Sequence, residues 1–62
     1  MSLESAFEQM AKDEGSAAAI AALEKIRDAL ETVGEVGDAP EREWAAYLMN
    51  RVSAAFTSVC AN

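Results

Sequence analysis

Carboxylates are the side chains of this 62-residue chain that are most able to do chemistry. Asp and Glu number 11, and five of them gather around one short connection, at Glu31, Glu35, Asp38, Glu41 and Glu43. Such oxygen ligands suit Ca²⁺ or Mg²⁺, but the spacing lacks the alternating acids and closing Glu of a calcium loop. Helix capping and solvation explain these acids better, so we expect no metal and no cofactor.

Catalysis has few other candidates. The chain has no His, the side chain most often used for proton transfer near neutral pH, so a Ser or Cys nucleophile would lack its usual base. Gly34 and Gly37 are too close together for a phosphate-binding loop, and they follow a helical pattern where such loops follow a strand. Cys60 is the single Cys, and we expect it to be a small buried hydrophobe. The chain is therefore predicted not to be an enzyme.

Charge limits the classes of partner. The net charge is -6, whereas binding to nucleic acid or to an anionic membrane requires patches of Lys and Arg. The balance argues against both and is compatible with a protein partner that has a basic surface. A solvated surface with no partner is the alternative explanation for the five acids around the connection.

The third predicted helix spans residues 39–61 and is the best marked. Asp38 and Glu41 fit a capping box, with Pro40 in the first turn. At about 100° per residue, one face of this helix is apolar and is predicted to be core, namely Trp44, Leu48, Val52, Ala55, Phe56 and Val59, widened by Ala45, Met49 and Cys60. Tyr47 lies off this stripe and could be an exposed anchor for a partner.

The opposite face of the same helix is small or uncharged, where a solvated helix normally shows Lys and Glu. Its residues are Ala46, Asn50, Ser53, Ala54, Thr57 and Ala61. Such a face either tolerates water without further role, or allows a second helix to approach closely in a homodimer or a partner complex.

Two further helices precede it. Ser2 is a predicted cap for a helix over residues 3–14, which Gly15 ends, and Ser16 is a predicted cap for a helix over residues 17–33, which Gly34 ends. Their apolar stripes are Leu3, Ala6, Phe7, Met10 and Ala11 in the first and Ala19, Ile20, Leu23, Ile26, Leu30 and Val33 in the second. These stripes fall on opposite sides of a straight rod, so we break the chain at Gly15, with a continuous helix as the alternative. Val36 is expected to lie beneath the second connection.

The fold class is therefore all-α: one small three-helix domain over residues 1–62, built from a short N-terminal helix and an antiparallel hairpin. A chain of this size is marginally stable without a staple, which raises the expectation of a homodimer. No run approaches the roughly 18 apolar residues that span a bilayer, and the first residues lack the basic region of a signal peptide. We expect a cytoplasmic protein.

In size and charge alone, the chain resembles inhibitors from phages and mobile elements that block nucleic-acid enzymes of the host. The first hypothesis is thus a non-catalytic antagonist that mimics DNA charge and occludes a basic, nucleic-acid-binding surface, with the five acids steering it and Tyr47 or the small face anchoring it. The second hypothesis is a homodimeric adaptor or assembly subunit that pairs through Ala46, Ser53, Ala54 and Thr57.

Overall fold

The computed structural model describes residues 2–61 and contains three α-helices. They are α1 (Leu3–Glu14), α2 (Ser16–Val36) and α3 (Ala39–Ala61). The described residues contain no β-strand. The predicted all-α, three-helix architecture is confirmed.

The ends of α1 are set by Ser2 and Gly15. The Ser2 hydroxyl oxygen accepts a hydrogen bond from the backbone N–H of Ser5 at 3.1 Å, as an N-cap does. Gly15 has φ 99° and ψ 151°, a backbone region that is essentially restricted to Gly. Because α2 begins at the next residue, the chain turns at a single position, and the alternative of one continuous helix is wrong.

The second helix is longer at both ends than the predicted residues 17–33. Ser16 lies inside α2, where it was predicted to be the cap, and Gly34 lies inside the last turns rather than ending the helix. Gly lowers helix stability without forbidding it, so its presence alone did not determine the end. Val36 is consequently the last helical residue and is 79% exposed, not beneath the connection.

The true end of α2 is at Gly37. Its backbone N–H donates to the carbonyl oxygen of Val33 at 2.8 Å. A Cβ atom at position 37 would lie 2.6 Å from that same oxygen, a separation that requires the backbone to shift. The last turn of α2 therefore requires Gly at this position.

The start of α3 is the predicted capping box. The backbone N–H of Asp38 donates to Glu41 Oε1 at 2.9 Å, and the backbone N–H of Glu41 donates to Asp38 Oδ1 at 3.0 Å. Each side chain thus satisfies a backbone donor at the helix start that the helix itself leaves unpaired.

The core lies where all three helices meet. Its buried members are Phe7 from α1, Ala19 and Leu23 from α2, and Val52, Ala55 and Val59 from α3. Beside this core, Arg51 Nη2 lies 3.6 Å from Glu4 Oε2, which places the start of α1 next to the middle of α3. Since Gly15 joins the end of α1 to the start of α2, α1 runs in the same direction as α3 and covers only the half of the hairpin remote from the α2–α3 connection.

Helix lengths explain that partial coverage. At about 1.5 Å per residue, the 12 residues of α1 extend about 18 Å, whereas the molecule is 37 Å long. The hairpin half next to the connection, here called the open end, comprises residues 27–36 of α2 and residues 39–50 of α3. It is a two-helix structure without a third layer.

Several residues predicted to be core are exposed for this reason. Trp44 is 64% exposed and Leu48 is 37% exposed, because both lie on the core stripe of α3 at the open end, beyond the reach of α1. Cys60 is also exposed, contrary to prediction; it lies about 100° around the helix from buried Val59. Ala45 is buried, and Met49 and Phe56 are half-buried, as their positions on the stripe predict.

Gly15, which lies between two helices, and Gly34, which lies inside one, give a matched test. Gly15→Ala should lower the free energy of unfolding by about 1–3 kcal/mol, because an L-residue is strained at that φ and ψ. Gly34→Ala should raise it by about 0.5–1 kcal/mol, because position 34 is helical and a Cβ there meets nothing within 4 Å. Urea unfolding followed by circular dichroism measures both, and equal effects from the two variants would contradict the described turn.

Candidate protein-interaction site

Two aromatic side chains stand out from the surface of the open end. Trp44 is 64% exposed and Tyr47 is 56% exposed. Their ring centroids are 6.1 Å apart with an interplanar angle of 86°, an edge-to-face pair. Leu48 follows on the same side of α3. These three residues, Trp44, Tyr47 and Leu48, are called the aromatic patch below.

The position of the patch follows from the heptad spacing of α3. Residues seven apart lie on nearly the same helix face. Leu48 is seven residues before Ala55, which is fully buried, and Trp44 is seven residues before Arg51, which contacts α1 through Glu4. The aromatic patch is therefore the continuation of the surface on which α1 packs.

A depression beside the patch does not form a small-molecule pocket. Its volume is about 370 Å³, and it is lined by Glu43, Trp44 and Tyr47. The volume suits a ligand, but sites for small molecules bury roughly 70–90% of the ligand surface. Three exposed side chains on one helix cannot enclose a ligand to that degree. The depression is better suited to the side chain of a larger partner.

The five acids of the predicted partner surface are all exposed. They are Glu31, Glu35, Asp38, Glu41 and Glu43, called the acidic cluster below. Glu31 lies 3.9 Å from the guanidinium group of Arg27, and Asp38 and Glu41 cap α3. Among residues 2–61, no ion pair is formed by Glu35 or Glu43. The structure thus brings uncompensated carboxylates to the same end of the molecule as the aromatic patch.

Every predicted member of the small-residue face of α3 is exposed, namely Ala46, Asn50, Ser53, Ala54, Thr57 and Ala61. The Thr57 hydroxyl donates to the carbonyl oxygen of Ser53 at 3.1 Å, a bond within the same helix. Ala46 lines a second depression together with Leu30 and Met49. This face shares no residue with the aromatic patch.

Sequence reasoning identified Tyr47 as a possible anchor but missed two neighbours. Trp44 and Leu48 were assigned to the core because the periodicity of α3 places them on its apolar stripe. The signal that could have moved them to the surface is the length of α1, since 12 residues cannot cover a helix of 23. Ile26 of α2, 36% exposed, was assigned to the core on the same basis.

Other kinds of site are not evident in the described part of the chain. Within residues 2–61, no three His, Cys, Asp or Glu side chains are grouped so that they could hold a metal ion. No helix in this range combines the length and apolar character needed to cross a bilayer.

Comparison with known proteins adds no relatives: the chain matches no protein-family model, no curated protein and no solved structure.

The exposure of Trp44 has a consequence for stability. Trp44→Ala should change the free energy of unfolding by less than about 1 kcal/mol, since a largely exposed side chain loses little on truncation. Leu23→Ala should lower it by about 3 kcal/mol, because Leu23 is fully buried and its truncation leaves a cavity. Chemical denaturation followed by circular dichroism measures the free energy of unfolding of both variants. An equal loss of that free energy in Trp44→Ala and Leu23→Ala would show that Trp44 is buried, contrary to the structure.

Proposed function

We propose that this chain is a non-catalytic protein-interaction module that docks on a basic surface of a partner protein and prevents that surface from binding nucleic acid. The observation that carries the proposal is that the exposed Trp44–Tyr47 pair lines one depression together with Glu43, a carboxylate that forms no ion pair within residues 2–61.

The two features of the open end have complementary roles in such a complex. Clustered negative charge accelerates the encounter with a basic surface and disfavours partners of like charge. Exposed Trp and Tyr side chains supply large contact area with few rotatable bonds, which is why they are enriched among the residues that dominate binding energy. The acidic cluster therefore orients the approach, and the aromatic patch holds the partner.

Occlusion of a nucleic-acid site follows from the sign of the charge. A surface that attracts five carboxylates is a surface on which phosphates also bind, since both are anionic acceptors for Lys and Arg. The net charge of -6 makes direct competition with nucleic acid for the partner favourable. We place this activity in the cytoplasm and expect neither nucleic acid nor membrane to be bound directly.

The test must avoid acids that stabilise the fold. Asp38 and Glu41 cap α3, so reversing their charge would remove the cap as well as the cluster. Glu35→Lys combined with Glu43→Lys changes the charge without that cost. The matched control is Glu14→Lys combined with Glu24→Lys, two exposed acids outside the acidic cluster, which produces the same net charge.

We expect the chain, immobilised through the exposed Cys60, to retain a partner from nuclease-treated lysate of its own cells at low salt. Duplex DNA should release that partner, and added chain should inhibit the DNA binding of the purified partner in a mobility-shift assay.

The Glu35→Lys/Glu43→Lys variant should bind at least tenfold more weakly than the control variant, with the difference shrinking at high salt. If duplex DNA failed to release the partner, the proposal that the chain occludes a nucleic-acid-binding surface would be contradicted.

A homodimer or assembly subunit is the second candidate, and it is favoured by the exposed, uncharged face of α3. Light scattering from a few to a few hundred micromolar should then show twice the chain mass, and Ala54→Glu should return the chain to a monomer because two charged side chains would be forced into the interface. Monomer mass at every concentration would remove this candidate.

A further inference from the structure

The depression lined by Glu43, Trp44 and Tyr47 combines one carboxylate with two aromatic rings. Tyr47 lies four residues after Glu43 and three after Trp44, and residues at these spacings are neighbours on a helix surface. Tyr47 therefore borders both other side chains, one turn further along α3. This site is called the Trp44 depression below. Its volume of about 370 Å³ accommodates one long side chain of a partner.

The two rings of the Trp44 depression form a corner. Their centroids are 6.1 Å apart and their planes meet at 86°, and both side chains are more than half exposed. The face of an aromatic ring carries partial negative charge, which attracts a cation that lies within about 6 Å of the ring centroid. A group placed in the corner can contact both rings, so the geometry favours a cation carried on an apolar stem.

The carboxylate of Glu43 adds a full negative charge to this corner. Glu43 is exposed and forms no ion pair among residues 2–61. Its sequence neighbour Arg42 lines the other depression, and Arg51, farther along α3, pairs with Glu4 of α1. The charge of Glu43 is therefore available to a cation of another molecule.

The same combination of groups already binds a cation elsewhere in the molecule. The guanidinium carbon of Arg27 lies over the Phe56 ring, 5.8 Å from its centroid. Nitrogen atoms of the same guanidinium lie 3.8 Å from Asp28 Oδ1 and 3.9 Å from Glu31 Oε1. Arg27 thus contacts an aromatic face with carboxylates beside it. The Trp44 depression presents an equivalent set, aromatic rings and a carboxylate, to a side chain from outside.

Resting on the proposed function, we infer that the Trp44 depression binds an Arg side chain of the partner protein, whose guanidinium lies against an aromatic ring and donates hydrogen bonds to Glu43. A guanidinium is flat and has five N–H donors in its plane, so it can stack on a ring and pair with a carboxylate at the same time. A Lys ammonium is compact and more strongly hydrated, and a quaternary ammonium has no N–H to donate. An Arg bound here is withdrawn from phosphate, which contributes to the proposed occlusion.

The probes are four capped peptides of the form Gly-Ser-X-Ser-Gly, in which X is Arg, Lys, trimethyllysine or citrulline, the neutral isostere of Arg. Each is titrated at low salt and up to millimolar concentration into the ¹⁵N-labelled chain, because a single side chain in an open site binds weakly. Trp44 is the single Trp of the chain, so its indole N–H gives one NMR signal that reports on the site. The backbone amide signals show whether each variant is folded.

We expect the Arg peptide to shift the Trp44 indole signal along a saturable curve, the Lys and trimethyllysine peptides to bind at least about threefold more weakly, and the citrulline peptide to give no saturable shift. Glu43→Gln should weaken binding of the Arg peptide at least about threefold. Tyr47→Ala should weaken it as well, while the Trp44 signal remains as reporter. The matched control is Glu35→Gln, which removes the same charge from an exposed acid that does not line the depression; it should leave binding unchanged.

The outcomes separate this inference from the proposed function. Lys or trimethyllysine binding as tightly as Arg would overturn the preference for a guanidinium while leaving a basic partner in place. Equal weakening by Glu43→Gln and Glu35→Gln would overturn the specific site, because the charge of the whole acidic cluster would then account for binding. Binding of the citrulline peptide equal to that of the Arg peptide, or no saturable shift with the Arg peptide, would overturn the Arg site, and the DNA-competition assay would then judge the proposed function independently.

Discussion

The feature on which the rest of this structure depends is the unequal length of its helices. A first helix of 12 residues packs against helices of 21 and 23 residues, and it is limited at one end by the Ser2 cap and at the other by Gly15. The hydrophobic stripes of α2 and α3 continue past it. Among residues 2–61, the large apolar side chains are therefore buried only where three layers meet, whereas Trp44 and Leu48, farther along α3, remain in contact with water.

Local sequence signals predicted the elements well because they act within a few residues. The Ser2 cap, the break at Gly15 and the Asp38–Glu41 capping box each depend on hydrogen bonds or backbone angles of neighbouring positions, and the structure has all of them. The end of α2 was missed because Gly34 permits two conformations, and the approach of Gly37 to Val33 decides between them. That approach depends on how the next helix enters, which no single residue encodes.

Burial was harder to predict, since it depends on which other element covers a stripe. The periodicity of α3 gives Trp44 and Val52 the same face, yet only Val52 is buried. The difference arises from the third helix, whose extent along the hairpin is a tertiary property. The acidic cluster and the small-residue face were found directly from the sequence, because charge and size are properties of the side chains themselves. Whether either surface binds a partner is a property of a second molecule.

The buried side chains of Phe7, Leu23, Val52 and Val59 stabilise one end of the hairpin, while Trp44 and Leu48 are exposed at the other. Truncation of a buried side chain lowers stability markedly, whereas substitution of an exposed one usually changes it little. Here the two sets are separated along the long axis of the molecule. Substitutions of the exposed side chains at the open end can therefore change the surface of the molecule while the fold is retained, which makes this architecture a permissive starting point for the design of new surfaces.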